Sequence, residues 1–477
     1  MEIKKINSLV ELFFKKKKEI LPNQKFLKWL KNEKDDFLTW QQVEEKINIL
    51  TEYLSKSLFS GDRCVLLSEN RPEWLIADIA IMNAGAVTVP LFTTYSEKDY
   101  KYILNDCNPK VCIVSNNFQF RKIEKFISND VQILSIENFD KKIESIENIL
   151  KKYSYQEKSS ISVNYNHKII REDLACIIYT SGTTGNPKGV LYSHKSTLLH
   201  AWAGSSANGL GLDKDDSILM VVPMFHVMGW GLPYIGAMNG IKLVLPGMGM
   251  DGAALVELIE KEKVTLAFGV PTIWLGLLNY CNENNITLDT VKQTVIGGSA
   301  VPYAMIKQFD EEHGVNVIQG WGMTETSPLA TANIKTKEME AMPKEELYKL
   351  QTKQGKPVFG VELKIVDEDG NKLPEDGEAY GKLLIRGPWV NKRYDKHEED
   401  AIDADGWFDT GDISSIDPDG YMTIVDRAKD VIKSGGEWIS SVDLENAAQS
   451  HPDVMQACVI GVAHPKWDER PVLLVVP

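Results

Sequence analysis

The sequence lacks three features: paired cysteines, a long apolar run and an excess of basic residues. Its six cysteines are scattered, without the CxxC spacing of a zinc site, and are too sparse for a disulfide scaffold. No stretch approaches the roughly 20 apolar residues that span a bilayer, and residues 1–30 lack the continuous apolar centre of a signal peptide. We therefore expect a cytoplasmic protein with no transmembrane segment. Cys64, Cys112 and Cys176 lie in apolar runs, which predicts small, inert core residues.

The charge balance is acidic. There are 53 Lys and Arg against 67 Asp and Glu, a net charge of −14. Because a nucleic-acid binder needs positive surface, we expect no nucleic-acid partner. The one basic run is four lysines at residues 15–18. We interpret it as the solvated face of a helix, with weak peripheral contact to anionic lipid as the alternative.

The pattern along the chain predicts an α/β protein. A length of 477 residues predicts about two to four packed units. From about residue 64 to residue 318, short apolar runs alternate with helical patterns, which predicts buried, mostly parallel sheets with helices on both faces. After about residue 355, Asp-Gly pairs at turn spacing predict a small β-rich unit. The last fifty residues look like the start of a separate α+β domain.

The strongest chemical signal is an apolar strand at residues 176–179 that opens into a loop. Glycines let backbone N–H groups converge on anionic oxygens, hydroxyls add donors or a magnesium contact, and a lysine offsets phosphate charge. A solvent-exposed loop rich in small residues is the plainer alternative, which the combination of strand, loop and lysine disfavours. The Gly-x4-Gly-Lys-Ser/Thr order of a Walker A motif is absent. The loop residues that we assign to a polyphosphate are Thr180, Ser181, Gly182, Thr183, Thr184, Gly185 and Lys188.

This loop resembles the signature of the acyl-adenylate-forming (AMP-binding) superfamily, which includes acyl-CoA synthetases, luciferases and peptide-synthetase adenylation domains. Residues 222–227 and 432–447 are similar to its medium- and long-chain fatty acyl-CoA synthetase branch. The resemblance extends, in the family's order, to four further blocks at residues 296–300, 319–325, 409–412 and 426–440.

The resemblance implies an enzyme that activates a fatty carboxylic acid with ATP and Mg²⁺ as its acyl-adenylate, releases pyrophosphate and passes the acyl group to coenzyme A. The reaction brings several negative charges together, so catalysis requires positioning and charge neutralisation. Two alternatives stay open: an adenylating enzyme that uses another acid or hands its acyl group to a carrier protein or to oxygen, and a catalytically impaired ATP-binding remnant. The branch includes homodimers, so a homodimer is also open.

Catalytic roles follow from the resemblance alone. It implies that Glu325 and Thr180 bind magnesium, an ion that prefers oxygen ligands, and that Thr324 reaches the α-phosphate and the substrate carboxylate. Without the resemblance, a Thr-Glu pair would more often be a helix cap. The implied catalytic set is Lys188, Thr324, Glu325, Lys429 and Lys433.

The nucleotide base and sugar are assigned in the same way. The resemblance places Gln319 and Trp321 in an adenine wall and makes Asp412 the acceptor for the ribose hydroxyls. The family commonly has Tyr at the position of Trp321, and either ring can stack on a base, whereas an isolated Trp would be a core residue. The ATP-binding residues beyond the loop are Gly298, Ser299, Gln319, Gly320, Trp321, Thr324, Asp412, Arg427, Lys429, Lys433 and Trp438.

The acyl pocket is assigned to His226, Val227, Trp230 and Gly298. An isolated histidine in an apolar run is more often structural, and the resemblance is what makes His226 line the carboxylate end. Trp230 resembles the aromatic gate of the fatty-acid branch, with simple core packing as the alternative.

The C-terminal part carries the implied hinge, at residues 426–434, around Lys429. Gly435 and Gly436 would let the pantetheine arm of coenzyme A pass in a tunnel. We predict a large AMP-binding domain at residues 1–425, of two mixed or parallel α/β subdomains and the β-rich subdomain near 355–425. An incomplete α+β domain at 435–477 follows the hinge. Relatives continue beyond this point, so we expect a truncated chain with impaired chemistry.

Overall fold

The structure is a computed structural model. It describes residues 6–31, 34–154, 169–180, 185–247, 249–428, 431–434, 437–449, 451, 454, 456–465 and 467–476. The chain divides into two units, neither of which is continuous in sequence. The first unit comprises Met1–Phe268, Met323–Pro328 and Arg393–Asp400. The second comprises Gly269–Gly322, Leu329–Lys392 and Ala401–Pro477.

The first unit alternates strands and helices, as its sequence pattern predicts. Its strands are β1 (Lys25–Lys31), β2 (Lys34–Thr39), β3 (Arg63–Leu67), β4 (Val87–Pro90), β5 (Val111–Val114), β6 (Gln132–Ser135), β7 (Glu144–Ser145), β8 (Leu174–Thr180), β9 (Lys188–Ser193), β10 (Ser217–Met220), β11 (Lys242–Leu245) and β12 (Leu266–Gly269). Its helices are α1 (Leu9–Glu19), α2 (Trp40–Leu54), α3 (Pro72–Asn83), α4 (Glu97–Cys107), α5 (Asn117–Ile123), α6 (Ile146–Ser154), α7 (His194–Ser205), α8 (Val227–Trp230), α9 (Leu232–Asn239) and α10 (Gly252–Glu262). Two 3-10 turns cover Glu124–Phe126 and Thr324–Thr326.

The strands of this unit lie in two groups. One is a seven-stranded sheet in the order β7-β6-β5-β3-β4-β8-β9, parallel throughout except for the antiparallel pair β8 and β9. The other has the order β12-β10-β11-β1-β2 and is parallel except for the hairpin of β1 and β2. Helix α3 is apolar around its circumference and all its residues except Glu73 are buried, as expected for a helix that is covered on every side.

The second unit is richer in antiparallel pairing. Its strands are β13 (Gln293–Ile296), β14 (Asn316–Gly322), β15 (Leu329–Ala332), β16 (Lys356–Pro357), β17 (Glu362–Val366), β18 (Gly381–Arg386), β19 (Phe408–Ile416), β20 (Met422–Arg427), β21 (Ile432–Ser434), β22 (Glu437–Ile439), β23 (Gln456–His464) and β24 (Asp468–Val476). Its helices are α11 (Pro271–Asn284), α12 (Tyr303–His313), α13 (Lys337–Glu340), α14 (Lys344–Gln351) and α15 (Ser441–Gln449).

Three groups of strands organise this unit. β13 and β14 are parallel, and β15 and β16 extend them in antiparallel fashion. β17 to β20 form a four-stranded antiparallel meander over the stretch that the Asp-Gly pairs mark as β-rich. The third group has the order β22-β21-β24-β23, with α15 packed against β23.

The predicted fold class is confirmed: mixed α/β units, a small β-rich section and a small α+β region at the C-terminal end. The antiparallel pair β8 with β9 departs from the parallel pattern expected for residues 64–318, and the antiparallel hairpin of β1 and β2 precedes that stretch. Cys64, Cys112 and Cys176 are buried, as predicted. No helix in the part of the chain that the structure describes has both the length and the apolar character to cross a membrane.

The basic run lies on α1. The Lys15 ammonium pairs with the Glu11 carboxylate at 2.6 Å, and Lys17 pairs with Glu44 of α2. Lys15, Lys16 and Lys17 are half-buried and Lys18 is exposed, so the solvated helix face stays a prediction.

Candidate active site

The phosphate-binding loop predicted from the sequence connects two antiparallel strands. β8 is buried from Ala175 to Tyr179 and ends at Thr180, and β9 begins at Lys188, whose Cα is paired with that of Thr180. The ladder therefore brings a hydroxyl residue and a lysine to the same end of the sheet. Ser181, Gly182, Thr183 and Thr184 lie outside the described residues, and Gly185 is exposed.

Glu325 and Thr324 lie on the 3-10 turn Thr324–Thr326, which belongs to the same unit. The Met323 N–H donates to the Thr326 hydroxyl at 2.9 Å and closes this turn. The Tyr192 hydroxyl of β9 donates to the Thr324 carbonyl at 2.7 Å. This contact joins the turn to the strand that begins at Lys188.

Tyr394 connects the lysine to the carboxylate. Its hydroxyl donates to Glu325 Oε1 at 2.9 Å, and the Lys188 Nζ lies 4.9 Å from the centroid of its ring. Burial, and then the charge of Glu325, raise the pKa of the Tyr394 phenol, which therefore stays a hydrogen-bond donor. The structure thus brings Glu325 to the end of the hairpin that carries Thr180 and Lys188, although Glu325 is distant from both in sequence.

The donor set fits a magnesium ion that is shared with a polyphosphate. Glu325 is almost fully buried and supplies one carboxylate, and Thr180 supplies a hydroxyl. Within the described ranges no cluster of three His, Cys, Asp or Glu side chains could hold a metal. Magnesium commonly binds through one or two carboxylates and substrate phosphates, rather than in a cage of protein ligands, so one carboxylate is sufficient.

The residues assigned to adenine lie in the second unit, within β14 and just after β13. Gln319 is paired in register with Ile296, two residues before Gly298. Gln319 is buried, and its Oε1 has no hydrogen-bond partner among the described residues. Trp321 is half-buried and packs against the apolar cluster of the β17–β20 sheet. Gly298 has a φ of +84°, a backbone conformation that favours glycine. Ser299 is exposed, and Gly320 is half-buried.

Asp412 is held on β19 of the same unit. The Arg427 Nη1 lies 2.9 Å from Asp412 Oδ1, while Oδ2 is buried and has no hydrogen-bond partner within the described part of the chain. Burial raises the pKa of Asp412 to about 6, against the opposing effects of the Arg427 charge and the Trp321 side chain. An ionised carboxylate with an unused buried oxygen is an acceptor for a ligand's hydroxyl groups.

Two of the residues assigned to the acyl pocket, Val227 and Trp230, lie in an unusual turn. Val227, Met228, Gly229, Trp230 and Gly231 all have positive φ, from 45° to 77°, so that the backbone of α8 is left-handed. Such a conformation costs about 1–2 kcal/mol per residue other than glycine, and strain of this kind is concentrated at functional sites.

His226 precedes this turn. Its ring lies 4.9 Å from that of Phe92, and its Nδ1 has no hydrogen-bond partner among the described residues. Burial lowers the pKa of His226 to about 4, so the ring is neutral at physiological pH. Trp230 is half-buried. Both the predicted gate and the predicted carboxylate contact therefore stay predictions.

Five of the remaining assignments fall partly or wholly outside the described structure. Lys429, Gly435 and Gly436 lie outside the described residues. Lys433 and Trp438 face each other as a register pair of β21 and β22, of which the backbone alone is described.

Two protein-family models match this chain. The family model of the AMP-binding enzyme matches residues 14–395, and that of the AMP-binding enzyme C-terminal domain matches residues 443–477. The chain belongs to the AMP-binding enzyme family. This assignment confirms the resemblance to that family.

Several relatives resemble this AMP-binding enzyme over most of its length. A 3-methylmercaptopropionyl-CoA ligase of Ruegeria lacuscaerulensis is 43% identical over 454 residues, which cover 92% of this chain and 82% of that protein. A medium-chain-fatty-acid–CoA ligase of Ectopseudomonas oleovorans is 42% identical over 449 residues, which cover 92% of this chain and 81% of that protein. The crystal structure of the anthranilate CoA ligase AuaEII with anthranoyl-AMP has a TM-score of 0.84 at 26% identity, covering 98% of this chain and 86% of that one.

Two functional contacts were not predicted from the sequence. The β8–β9 hairpin, with its predicted phosphate-binding loop, is called the phosphate hairpin below, and Tyr394 and Tyr192 each join it to the turn that carries Glu325. Tyr192 lies in β9, directly after the loop, and its closeness to the loop in sequence could have indicated that it belongs to the site. Tyr394 lies in a stretch for which we recognised no motif.

Proposed function

We propose that this AMP-binding enzyme is an AMP-forming acyl-CoA ligase. A carboxylate oxygen of the acid attacks the α-phosphorus of ATP, and pyrophosphate leaves. The sulfur of coenzyme A then attacks the acyl carbonyl of the adenylate, and AMP leaves. The observation that carries the proposal is the set of contacts from Lys188 through Tyr394 to Glu325, because it places a cation and a carboxylate at the end of the phosphate hairpin.

Each residue near the hairpin has a role in charge neutralisation. Lys188 offsets the charge on the phosphates, and Glu325, with Thr180, would hold the magnesium ion, which supplies further positive charge. Thr324 would donate its hydroxyl to the α-phosphate or to the substrate carboxylate. Together these groups would offset the negative charges that come together in the transition state.

The nucleotide's base and ribose are assigned to the second unit. Asp412 Oδ2 and Gln319 Oε1 are both buried acceptors with no protein hydrogen bond in the described structure. Asp412 would accept a hydrogen bond from a ribose hydroxyl, and Gln319 would accept one from the exocyclic amino group of adenine. Leaving a buried acceptor unpaired costs about 1–3 kcal/mol, which ligand binding would recover.

The substrate that we propose is a medium- or long-chain fatty acid. One relative is named for a medium-chain fatty acid and another for 3-methylmercaptopropionate, at almost equal identity. A shorter sulfur-containing acid is therefore the second candidate. His226, Val227 and Trp230 would line the acyl pocket, and Gly298 is assigned to it by the resemblance.

A panel of acids tests the reaction. The experiment measures pyrophosphate release and thioester formation with ATP and Mg²⁺, with and without coenzyme A. Fatty acids from four to eighteen carbons and 3-methylmercaptopropionate are compared. An acyl-CoA ligase forms thioester only when coenzyme A is added. Pyrophosphate release without any thioester would favour a carrier-dependent enzyme, and ATP binding with no pyrophosphate from any acid would contradict the proposal.

Several narrower expectations remain proposals. These are the boundaries at residues 425, 434 and 435, the hinge at Lys429, the coenzyme A tunnel at Gly435 and Gly436, a homodimer and a cytoplasmic location.

A further inference from the structure

The segment Arg393–Asp400 belongs to the first unit, although the chain on both sides of it belongs to the second. The Asp395 N–H donates to the Gly189 carbonyl at 2.7 Å, and Tyr394 forms an antiparallel bridge with the next residue of β9. An ideal Cβ at Gly189 would lie 3.1 Å from the Asp395 Cβ, so the two backbones approach closely. These contacts hold Tyr394 beside the strand that begins at Lys188.

Tyr394 uses two different parts of its side chain. The hydroxyl donates to Glu325 Oε1 at 2.9 Å, and the face of the ring lies 4.9 Å from the Lys188 Nζ. One side chain therefore contacts both charged groups that we assign to the polyphosphate and its metal.

The hydroxyl fixes the carboxylate. A hydrogen bond from the Tyr394 hydroxyl to Oε1 restricts rotation of the Glu325 carboxyl group. Carboxylates that bind metals are commonly oriented by such hydrogen bonds, and losing one typically weakens metal binding about 10–100-fold.

The ring acts on the lysine. An ammonium over an aromatic face is attracted by the ring's quadrupole, by about 0.5–1 kcal/mol at an exposed site. Lys188 is exposed, and a free lysine side chain samples many rotamers. The ring thus favours rotamers that keep the Lys188 ammonium close to Glu325 and to the end of the loop.

We propose that Tyr394 is a positioning residue for adenylation, with two separable effects. Its hydroxyl orients Glu325 toward Mg²⁺, and its ring holds Lys188 toward the phosphates of ATP. The inference rests on the proposed function, because it takes Glu325 and Lys188 as the groups that act on Mg²⁺·ATP.

Two variants separate the effects. Tyr394→Phe removes the hydroxyl and keeps the ring, whereas Tyr394→Leu removes both. For Tyr394→Phe, we expect the Mg²⁺ concentration at half-maximal pyrophosphate release to rise about tenfold, with little change at saturating Mg²⁺. Calorimetric binding of ATP should weaken only when Mg²⁺ is present. For Tyr394→Leu, binding of ATP without metal should also weaken, by about two- to fivefold.

Tyr348→Phe is the matched control. The Tyr348 hydroxyl donates to Asp310 Oδ2 at 2.6 Å in the second unit, so this variant also loses a phenol–carboxylate hydrogen bond. A merely structural contribution would lower the melting temperature of both variants and leave the Mg²⁺ requirement unchanged. A Tyr394→Phe enzyme with the Mg²⁺ dependence of the wild type and of Tyr348→Phe would overturn the first effect. Equal metal-free ATP binding by the Phe and Leu variants would overturn the second.

Glu325→Gln distinguishes a failure of this inference from a failure of the proposed function. If Glu325→Gln raises the Mg²⁺ requirement and Tyr394→Phe does not, Glu325 keeps its role and only the positioning role of Tyr394 is wrong. If neither variant changes the Mg²⁺ requirement, the assignment of the metal to Glu325 fails first.

Discussion

Arg427 and Asp412 form an ion pair of 2.9 Å that engages a single oxygen of the carboxylate. The second oxygen, Oδ2, is buried and without a hydrogen bond among the described residues. The Arg427 charge stabilises the negative charge of the buried Asp412 carboxylate. Oδ2 is left as an acceptor for a ligand's hydroxyl group. Recognition of the ribose should therefore depend on the ionisation of Asp412.

Adenosine affinity should fall in acid. Burial raises the pKa of Asp412 to about 6, so lowering the pH from 7.5 to 5.5 protonates the acceptor and weakens binding. Adenosine is the ligand of choice because it has no phosphate to titrate. Asp412→Asn should bind adenosine about tenfold or more weakly, and its affinity should not change over this range. Asp417→Asn, which removes the partner of Lys353, is the control. A pH-independent wild type would contradict the role of Asp412.

Removal of either charged group at the phosphate hairpin should abolish most adenylation. We expect Lys188→Ala and Glu325→Ala to lower the rate of pyrophosphate release by about 10²–10³, by analogy with the loss of single electrostatic donors. Lys364→Ala is a matched control, because the Lys364 Nζ lies 4.4 Å from the ring of Trp407 in the second unit. Wild-type turnover by either variant would remove that residue from the mechanism.

Asp78 should make stability depend on pH. It is fully buried on α3 and accepts a hydrogen bond of 2.8 Å from Tyr234 of α9. Burial raises the pKa of Asp78 to about 7, so the folded protein keeps a proton that the unfolded chain loses near pH 4. Stability from this group is therefore greatest below about pH 4, falls as the pH rises to about 7 and is then constant.

Asp78→Asn should remove this contribution. Between pH 5 and pH 8, the melting temperature of the wild type should fall relative to that of Asp78→Asn as the pH rises. A pKa shift of this size corresponds to up to about 4 kcal/mol. Tyr234→Phe removes the hydrogen bond but leaves the acid, so it should keep the slope. Parallel curves for wild type and Asp78→Asn would show that Asp78 is ionised in the folded state.

Gly231→Ala should lower the stability of the protein more than Gly61→Ala, which changes another glycine of positive φ. Gly231 has a φ of +77°, and an ideal Cβ there would lie 2.6 Å from His200 Cε1. Gly61 has a φ of +80° with no heavy atom within 4 Å of such a Cβ, so Gly61→Ala measures the backbone strain alone, about 1–2 kcal/mol. We expect Gly231→Ala to cost about 1–3 kcal/mol more, as overpacking does. Equal losses in thermal or denaturant unfolding would show that His200 moves aside freely.

The sequence predicted the elements well where local patterns determine them. The helix and strand alternation of the first unit, the Asp-Gly turns of the β17–β20 meander and the α/β class all follow from periodicity and turn chemistry. The residues of the phosphate hairpin were found because their types and order resemble a family signature. The antiparallel return of β9 was missed, since a loop followed by an apolar run does not show the direction of pairing.

Contacts between distant positions could not be predicted in this way. Tyr394 and Glu325 are 69 positions apart, and no local spacing relates them. The left-handed turn was missed for a different reason. Gly229 and Gly231 permit positive φ, but Val227 and Trp230 disfavour it, so only packing in the folded chain imposes it.

The interrupted sequence of the first unit has a consequence for its synthesis. Tyr394 leaves the ribosome about 200 residues after Lys188, which at typical translation speeds is a delay of roughly 10–40 s. During that interval β8 and β9 can pair, because both strands have been made. The lysine of the hairpin has neither its aromatic neighbour nor, at first, the carboxylate of Glu325. The nascent first unit can therefore form the β8–β9 hairpin before Tyr394 is made, and a chain that pauses between residues 328 and 393 would lack the contact that joins Lys188 to Glu325.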